Sequence, residues 1–209
     1  IARAGCCGAL RQHLDAPEAA LDDARRNIDA WWPEIEAGAE AVVVTASGCG
    51  VQVRDYGYLL RGDPLYAGKA ARVSALCRDP SEVLAMEAAD LRPLLAKRHA
   101  ERGALAFHSP CSLQHGLNIR GVVERLLTDA GYTLTPVAES HLCCGSAGTY
   151  SFLQPELSQQ LKARKQAALM RGRPAGIATA NIGCLTHLQA GSRVPIRHWI
   201  ELIDDILRE

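Results

Sequence analysis

The chain has 209 residues, 48% of them hydrophobic, enough for one large domain or two small ones with a real core. Its 23 basic and 23 acidic residues cancel, which argues against general nucleic-acid binding, because that needs a basic face. No apolar run approaches the roughly 20 residues that span a bilayer and no secretory leader is visible, which sets aside a membrane-spanning or exported chain but not peripheral membrane attachment.

The first element is a Cys6-Cys7-Gly8 unit only six residues in, and with Ile1 in place of an initiator Met the chain reads as cut inside a first repeat. Pro17–Trp32 has helical spacing at Ala20, Ala24, Ile28 and Trp31. Asp15 suits its N-cap, Pro17 its first turn, and Pro33 its end. Ala41–Thr45 is a short β-branched run, as expected of a central parallel strand. Gly48-Cys49-Gly50 breaks it, and a helix follows over Val51–Leu60. Val73–Cys77 reads as an apolar strand with Cys77 as a buried, inert thiol. Ser81 is placed to cap a helix with Leu84, Leu91 and Leu95 on one face.

The second half repeats the pattern. Ala104–His108 is strand-like and runs into Ser109-Pro110-Cys111. Residues 119–130 form a helix closed by Gly131, and Tyr132–Pro136 a short strand. Cys143-Cys144-Gly145 opens a small-residue turn. Pro155–Arg171 is a long helix whose basic residues Lys162, Arg164 and Lys165 read as a solvated face. Gly176–Asn181 is a buried strand ending in Gly183-Cys184, with His187 on the first turn of the next helix. His198–Leu207 closes the chain, with Trp199, Ile200, Ile203 and Ile206 as its inner stripe. Alternating strands and helices predict an α/β fold of two pseudo-symmetric repeats, residues 1–75 and 76–209, with parallel strands flanked by helices. Cysteines then gather at the carboxyl ends of the strands, where such folds bind ligands.

Forty-one residues separate Cys7 from Cys49, and thirty-nine separate Cys144 from Cys184. Eight cysteines without a leader, two pairs of them adjacent, point to a reduced, ligand-bearing set rather than to disulfides. The complete set is Cys111, Cys143, Cys144 and Cys184; the first repeat holds Cys6, Cys7 and Cys49. Four thiolates suit a cluster of four irons and four sulfurs, and equally a tetrahedral zinc ion. The glycine after each pair lets backbone approach such a group and direct amides at sulfur, and Ser146, Gly148 and Thr149 offer further donors. His187 is a candidate fifth ligand or proton carrier. His108, His115 and His141 flank the same rim, while His13, His99 and His198 read as surface or capping residues. There is no GxGxxG, P-loop, HExxH or GxSxG, so a flavin or nicotinamide site belongs elsewhere.

These motifs resemble the cysteine-rich CCG domains, in which a cysteine, a Cys-Cys-Gly and a Cys-x-x-Cys recur at such spacings. CCG domains occur in pairs in heterodisulfide reductase, in the anaerobic glycerol-3-phosphate dehydrogenase, in lactate-utilisation proteins and in the iron–sulfur subunit of glycolate oxidase. Thr45-Ala-Ser-Gly-Cys49, His108-Ser-Pro-Cys111, Cys143-Cys144-Gly145-Ser-Ala-Gly, Asn181-Ile-Gly-Cys184-Leu-Thr-His187 and Pro195-Ile-Arg-His198-Trp199 look most like the last. The resemblance implies an electron-transfer subunit of a glycolate dehydrogenase. It would relay electrons from flavin subunits, which oxidise glycolate to glyoxylate, toward membrane quinone, in the cytoplasm or on the inner face of the membrane. The final cysteine of the family pattern is Gln52 in the first repeat and His187 in the second. These departures argue against the double cluster that five cysteines per repeat support in heterodisulfide reductase; a thiol/disulfide module of that type and a zinc-stabilised assembly module are the alternatives to the redox relay.

Overall fold

The computed structural model describes residues 4–98 and 101–209; His99 lies outside them. The chain divides into two compact units, Ile1–Asp79 and Pro80–Glu209.

In the first unit Gly8 starts α1 (Ala9–His13), and α2 (Pro17–Glu36) follows. Pro17 sits in the first turn as expected, but Asp15 does not cap the helix. Its own φ is 60°, and Ala16 is the N-cap, with no side-chain bond. Nor does Pro33 end it. Proline lacks a donor but keeps its acceptor, and the Ala37 N–H closes the last turn on the Pro33 carbonyl at 3.0 Å. β1 is only Val42–Val43, paired in parallel with β2 (Cys77–Arg78). With one partner strand among the described residues, β1 is not the buried central strand expected, and Val43 is 49% exposed. The strand has ended before Gly48, and Gly48, Cys49 and Gly50 already lie inside α3 (Ser47–Arg54), followed by α4 (Tyr56–Leu59) and α5 (Ala67–Leu76). Val73–Leu76 is therefore helical rather than a strand, a confusion that short apolar runs invite because their period is too brief to read. Cys77 itself is buried. Ala24, Ile28, Val53, Tyr56, Leu60 and Val73 form this unit's core.

The second unit opens with α6 (Pro80–Met86) and α7 (Ala88–Lys97), two helices where one was expected, with Ser81 inside the first. Then come β3 (Ala104–His108), α8 (Val122–Asp129), β4 (Thr133–Leu134), α9 (Tyr150–Leu153) and α10 (Pro155–Met170). β5 (Gly176–Thr179), α11 (Ile182–Gln189), β6 (Ile196–His198) and α12 (Trp199–Arg208) complete it. The sheet order is β4-β3-β5-β6, all pairs parallel. Gly131 has the left-handed φ of 95° that its helix-closing role requires. His198 caps α12: its Nδ1 accepts from the Ile200 amide at 3.3 Å, and Glu201 accepts from the His198 amide at 3.1 Å. Trp199, Ile203 and Ile206 on α12 are buried. Parallel strands flanked by helices are thus found in both units, as the α/β reading required.

Lys162 and Lys165 do not belong to a solvated face. Both are buried, Lys165 completely, because they lie on the inner side of α10, whereas Arg164 stays exposed as expected.

Candidate metal centre

Each Cys-Cys-Gly turn is built the same way. Gly8 and Gly145 have left-handed φ values of 86° and 92°. Each presses on the long helix that follows: a Cβ on Gly8 would meet the Ala20 carbonyl oxygen at 2.8 Å, and one on Gly145 the Ser158 carbonyl oxygen at 2.4 Å. Glycine is needed for the backbone angle and for the room. In the second unit the Ser158 hydroxyl also donates to the Gly145 carbonyl at 2.8 Å.

Cys49, Cys111 and Cys184 each follow the carboxyl end of a parallel strand, β1, β3 and β5 in turn, as expected. Cys49 and Cys184 are the third residues of α3 and α11. The first turn of a helix exposes unpaired N–H groups and the positive end of the dipole, which favours a thiolate. Asn181 caps α11, its side chain accepting from the Gly183 amide at 3.4 Å. Gly183 allows a close approach, since a Cβ there would lie 3.2 Å from the Ser146 hydroxyl.

In the second unit the ligand atoms of His108, Cys144 and Cys184 all lie within 4.8 Å of one another, and all three residues are buried. Cys144 and Cys184 are part of the hydrophobic core with Ala106, Leu169 and Ile177. Cys143 joins this group through Cys144, and Cys111 through Cys143. The thiols alternate along that chain. Interaction with Cys111 and Cys144 pulls Cys143 well below an ordinary thiol, helped by the Gly145 amide, which donates to its sulfur at 3.3 Å. Cys144 pulls Cys184 down to about 6, against burial, with help from His108. The same interactions, and burial, push Cys111 and Cys144 up. The arrangement therefore favours thiolates at Cys143 and Cys184, with Cys111 and Cys144 as their donors.

His108 is 1% exposed, and neither ring nitrogen has a partner in hydrogen-bond geometry. It is close enough to Cys184 to lower that thiol, without a bond of full hydrogen-bond geometry. A buried polar group left this way costs about 1–3 kcal/mol. A metal ion accepting the nitrogen would remove that penalty, so the residues present fit such a group. His187 stands apart from this trio: its Nε2 is 3.3 Å from the Ser158 hydroxyl. Burial and the charge of Lys162 lower its pKa. His115 and His141 are exposed. The nitrogen nearest the thiols is thus the one that ends β3. The signal for it lay in the sequence as a histidine closing a continuous buried strand.

In the first unit Cys7 and Cys49 meet, and the hydrogen bond from Cys7 lowers Cys49 from 9.0 to about 7 while Cys7 itself rises. Cys6 is exposed. Its carbonyl is held by the Asn27 side chain at 2.8 Å, and that of Cys7 by the Tyr56 hydroxyl at 2.9 Å. Beside this pair a cavity of about 560 Å³ is lined by Cys7, Cys49, Trp31, Glu34 and the backbone of Val42–Ala46.

The cysteine-rich (CCG) domain family matches residues 2–54 and 105–189. The chain is 53% identical over 208 residues to the glycolate oxidase iron-sulfur subunit of Escherichia coli K12, covering 99% of the chain and 49% of that protein. It is 30% identical over 188 residues to the probable glycolate oxidase iron-sulfur subunit of Bacillus subtilis 168, covering 89% and 41%. It is 23% identical over 210 residues to lactate utilization protein A of an Exiguobacterium species, covering 98% and 83%. The chain therefore spans about half the length, or less, of the two glycolate oxidase subunits it matches.

Proposed function

The chain belongs to the cysteine-rich CCG domain family, and from that premise we propose that it is the iron–sulfur, electron-transferring part of a complex that oxidises a 2-hydroxy acid, glycolate in the first instance. The observation that carries the proposal is the buried trio of His108, Cys144 and Cys184, with Cys143 and Cys111 joined to it. The names of the similar proteins supply the metal class and the substrate. In this reading Cys111, Cys143, Cys144 and Cys184 hold the cluster of the second unit, His108 is the nitrogen beside them, and Cys6, Cys7 and Cys49 serve the first. His187 is a second-rank candidate.

A thiolate-held iron–sulfur cluster supplies one-electron transfer. The residues of the chain do the rest. Cys143 and Cys184 are already drawn toward the thiolate form. The Gly145 and Ser146 amides point at Cys143 and Cys144 sulfur, and such bonds stabilise added negative charge. Core packing around Cys144 and Cys184 excludes water. Substrate chemistry falls to partner subunits carrying flavin, and quinone is the final acceptor, which places the chain in the cytoplasm against the inner face of the membrane. No helix among the described residues is long and apolar enough to cross a membrane.

One observation favours a second reading. Three ligand atoms within 4.8 Å of one another also suit a single tetrahedral ion such as zinc. Metal and acid-labile sulfide analysis of anaerobically purified protein decides between them. Iron with sulfide and broad visible absorption is expected; zinc without iron would overturn the redox proposal and leave a structural module.

A further inference from the structure

One helix grips both flanks of the second Cys-Cys-Gly turn. α10 meets Gly145 at Ser158, and two helical turns later Lys165 reaches the other flank. The Lys165 ammonium donates to the carbonyls of Glu139 at 2.8 Å and Ser140 at 3.4 Å. Its side chain is 0% exposed. Buried ammonium groups are ordinarily paired with a carboxylate, because an isolated charge is expensive to desolvate. Here the Glu139 carboxylate is turned to Arg164 instead, and Lys165 receives only carbonyl oxygens. Burial lowers its pKa, while the charges of Cys144, Cys143, Glu139 and Cys184 act in the opposite sense, and its bonds hold it against the segment that leads into the Cys143-Cys144 turn.

The first unit provides the contrast. There α2 meets Gly8 at Ala20, and the residue seven positions on is Asn27. This neutral side chain accepts from the Gly5 amide at 2.7 Å and donates to the Cys6 carbonyl at 2.8 Å. Position for position, the helix beneath one turn carries an amide and the helix beneath the other a cation.

We propose that Lys165 is a fixed positive counter-charge built beneath the second thiolate site, which lets that site accept an electron more readily than the first. The proposal rests on the iron–sulfur reading above. One-electron reduction adds a negative charge and breaks no bond in the chain; the electron comes from a reduced flavin in the proposed complex, or from dithionite in the test. A nearby cation stabilises the reduced form, and net charge is among the determinants of a cluster's potential. Lys165 donates to backbone carbonyls beside the turn and in this proposal acts through its charge, not as a ligand.

The test is an equilibrium redox titration of the anaerobically purified full chain, followed by electron paramagnetic resonance and visible absorption. Wild type is compared with K165M and K165Q. Methionine removes the charge and the donors; glutamine removes the charge and keeps a donor for the Glu139 and Ser140 carbonyls. Both variants are expected to retain iron and to lower the reduced-to-oxidised ratio of the second-unit signal at a given potential by about tenfold, equivalent to ~59 mV for one electron. A wild-type potential in K165Q would overturn the proposal and make Lys165 an anchor of the turn, whatever K165M does. If K165M fails to fold, K165Q alone decides. Iron content is measured first, so a wild-type chain without iron overturns the underlying reading and is distinguished from failure of the charge proposal.

Discussion

Gly145 carries the most demanding backbone position in the second site. Its φ of 92° is left-handed, and a Cβ would stand 2.4 Å from the Ser158 carbonyl oxygen. A left-handed non-glycine residue costs about 1–2 kcal/mol from its own backbone, and here the clash with helix backbone adds to it. Gly38 has a φ of 101° but nothing within 4 Å of an added Cβ. Gly38→Ala is therefore expected to cost only the backbone term, and Gly145→Ala more than about 2 kcal/mol, as read from urea unfolding midpoints at constant slope. At Cys49 the expectation concerns pH. The hydrogen bond from Cys7 lowers its pKa from 9.0 to about 7. A lowered thiol pKa means thiolate above that value, so alkylation of Cys49 by iodoacetamide in metal-free protein should rise through pH 7 and level off by pH 9. Cys7→Ser weakens that donor, and the midpoint should then move upward; an unmoved midpoint would show that Cys7 is not the cause. The cysteines of both sites were legible from sequence because the repeat announces them. The structure brings His108 rather than His187 beside Cys144 and Cys184, although His187 lies three residues from Cys184 in sequence and His108 comes from another strand. Only the parallel pairing of β3 with β5, with His108 opposite Thr179, brings it to the thiols.

The long helix after each Cys-Cys-Gly is the element on which the site depends. In α10 the fully buried Ser158 hydroxyl donates to the Gly145 carbonyl at 2.8 Å and lies 3.3 Å from His187 Nε2. α2 has Ala20 at the matching contact and manages without a hydroxyl. Ser158→Ala should thus leave the helix packed and cost about 1–3 kcal/mol through the unsatisfied Gly145 carbonyl. It should also free His187, whose imidazole shift in NMR would become more solvent-like; a silent His187 would place its partner elsewhere. Helices of this length, and the buried strand β3, could be read from periodicity. What could not was the role of glycine near cysteine. Gly48-Cys49-Gly50 and Gly183-Cys184 look like breaks, yet they lie in the first turns of helices. At Gly183 the reason for glycine is room, since a Cβ there would lie 3.2 Å from the Ser146 hydroxyl. β1 also misled: five β-branched or small apolar residues read as a buried strand, but burial depends on a second neighbour, which no local pattern encodes.

At the scale of the chain the two units share a plan and differ in completeness. The second unit's proposed ligands come from the end of β3, the turn before α9, and α11, three places joined only by the folded sheet. Such a site follows folding, unlike a zinc finger, where metal binding is the folding energy. Removing metal should therefore leave the helical circular dichroism of the chain intact while lowering its melting temperature, since a ligand that binds only the native state adds stability by mass action. The same asymmetry decides which cysteine matters most. Cys184 is buried in the core beside Cys144 and His108, with a thiol already lowered to about 6, whereas Cys6 is exposed. Cys184→Ser removes a soft thiol from beside the buried Cys144 and His108, and a serine hydroxyl does not replace a thiolate for a soft metal. Cys184→Ser should thus lose at least half of the iron bound per chain, with the remaining protein still helical. Cys6→Ser should lose little. The comparison is made on anaerobically purified full chains by iron determination per folded protein. Equal losses in the two variants would mean that the first unit holds as much metal as the second, and that completeness of the thiol set does not govern binding.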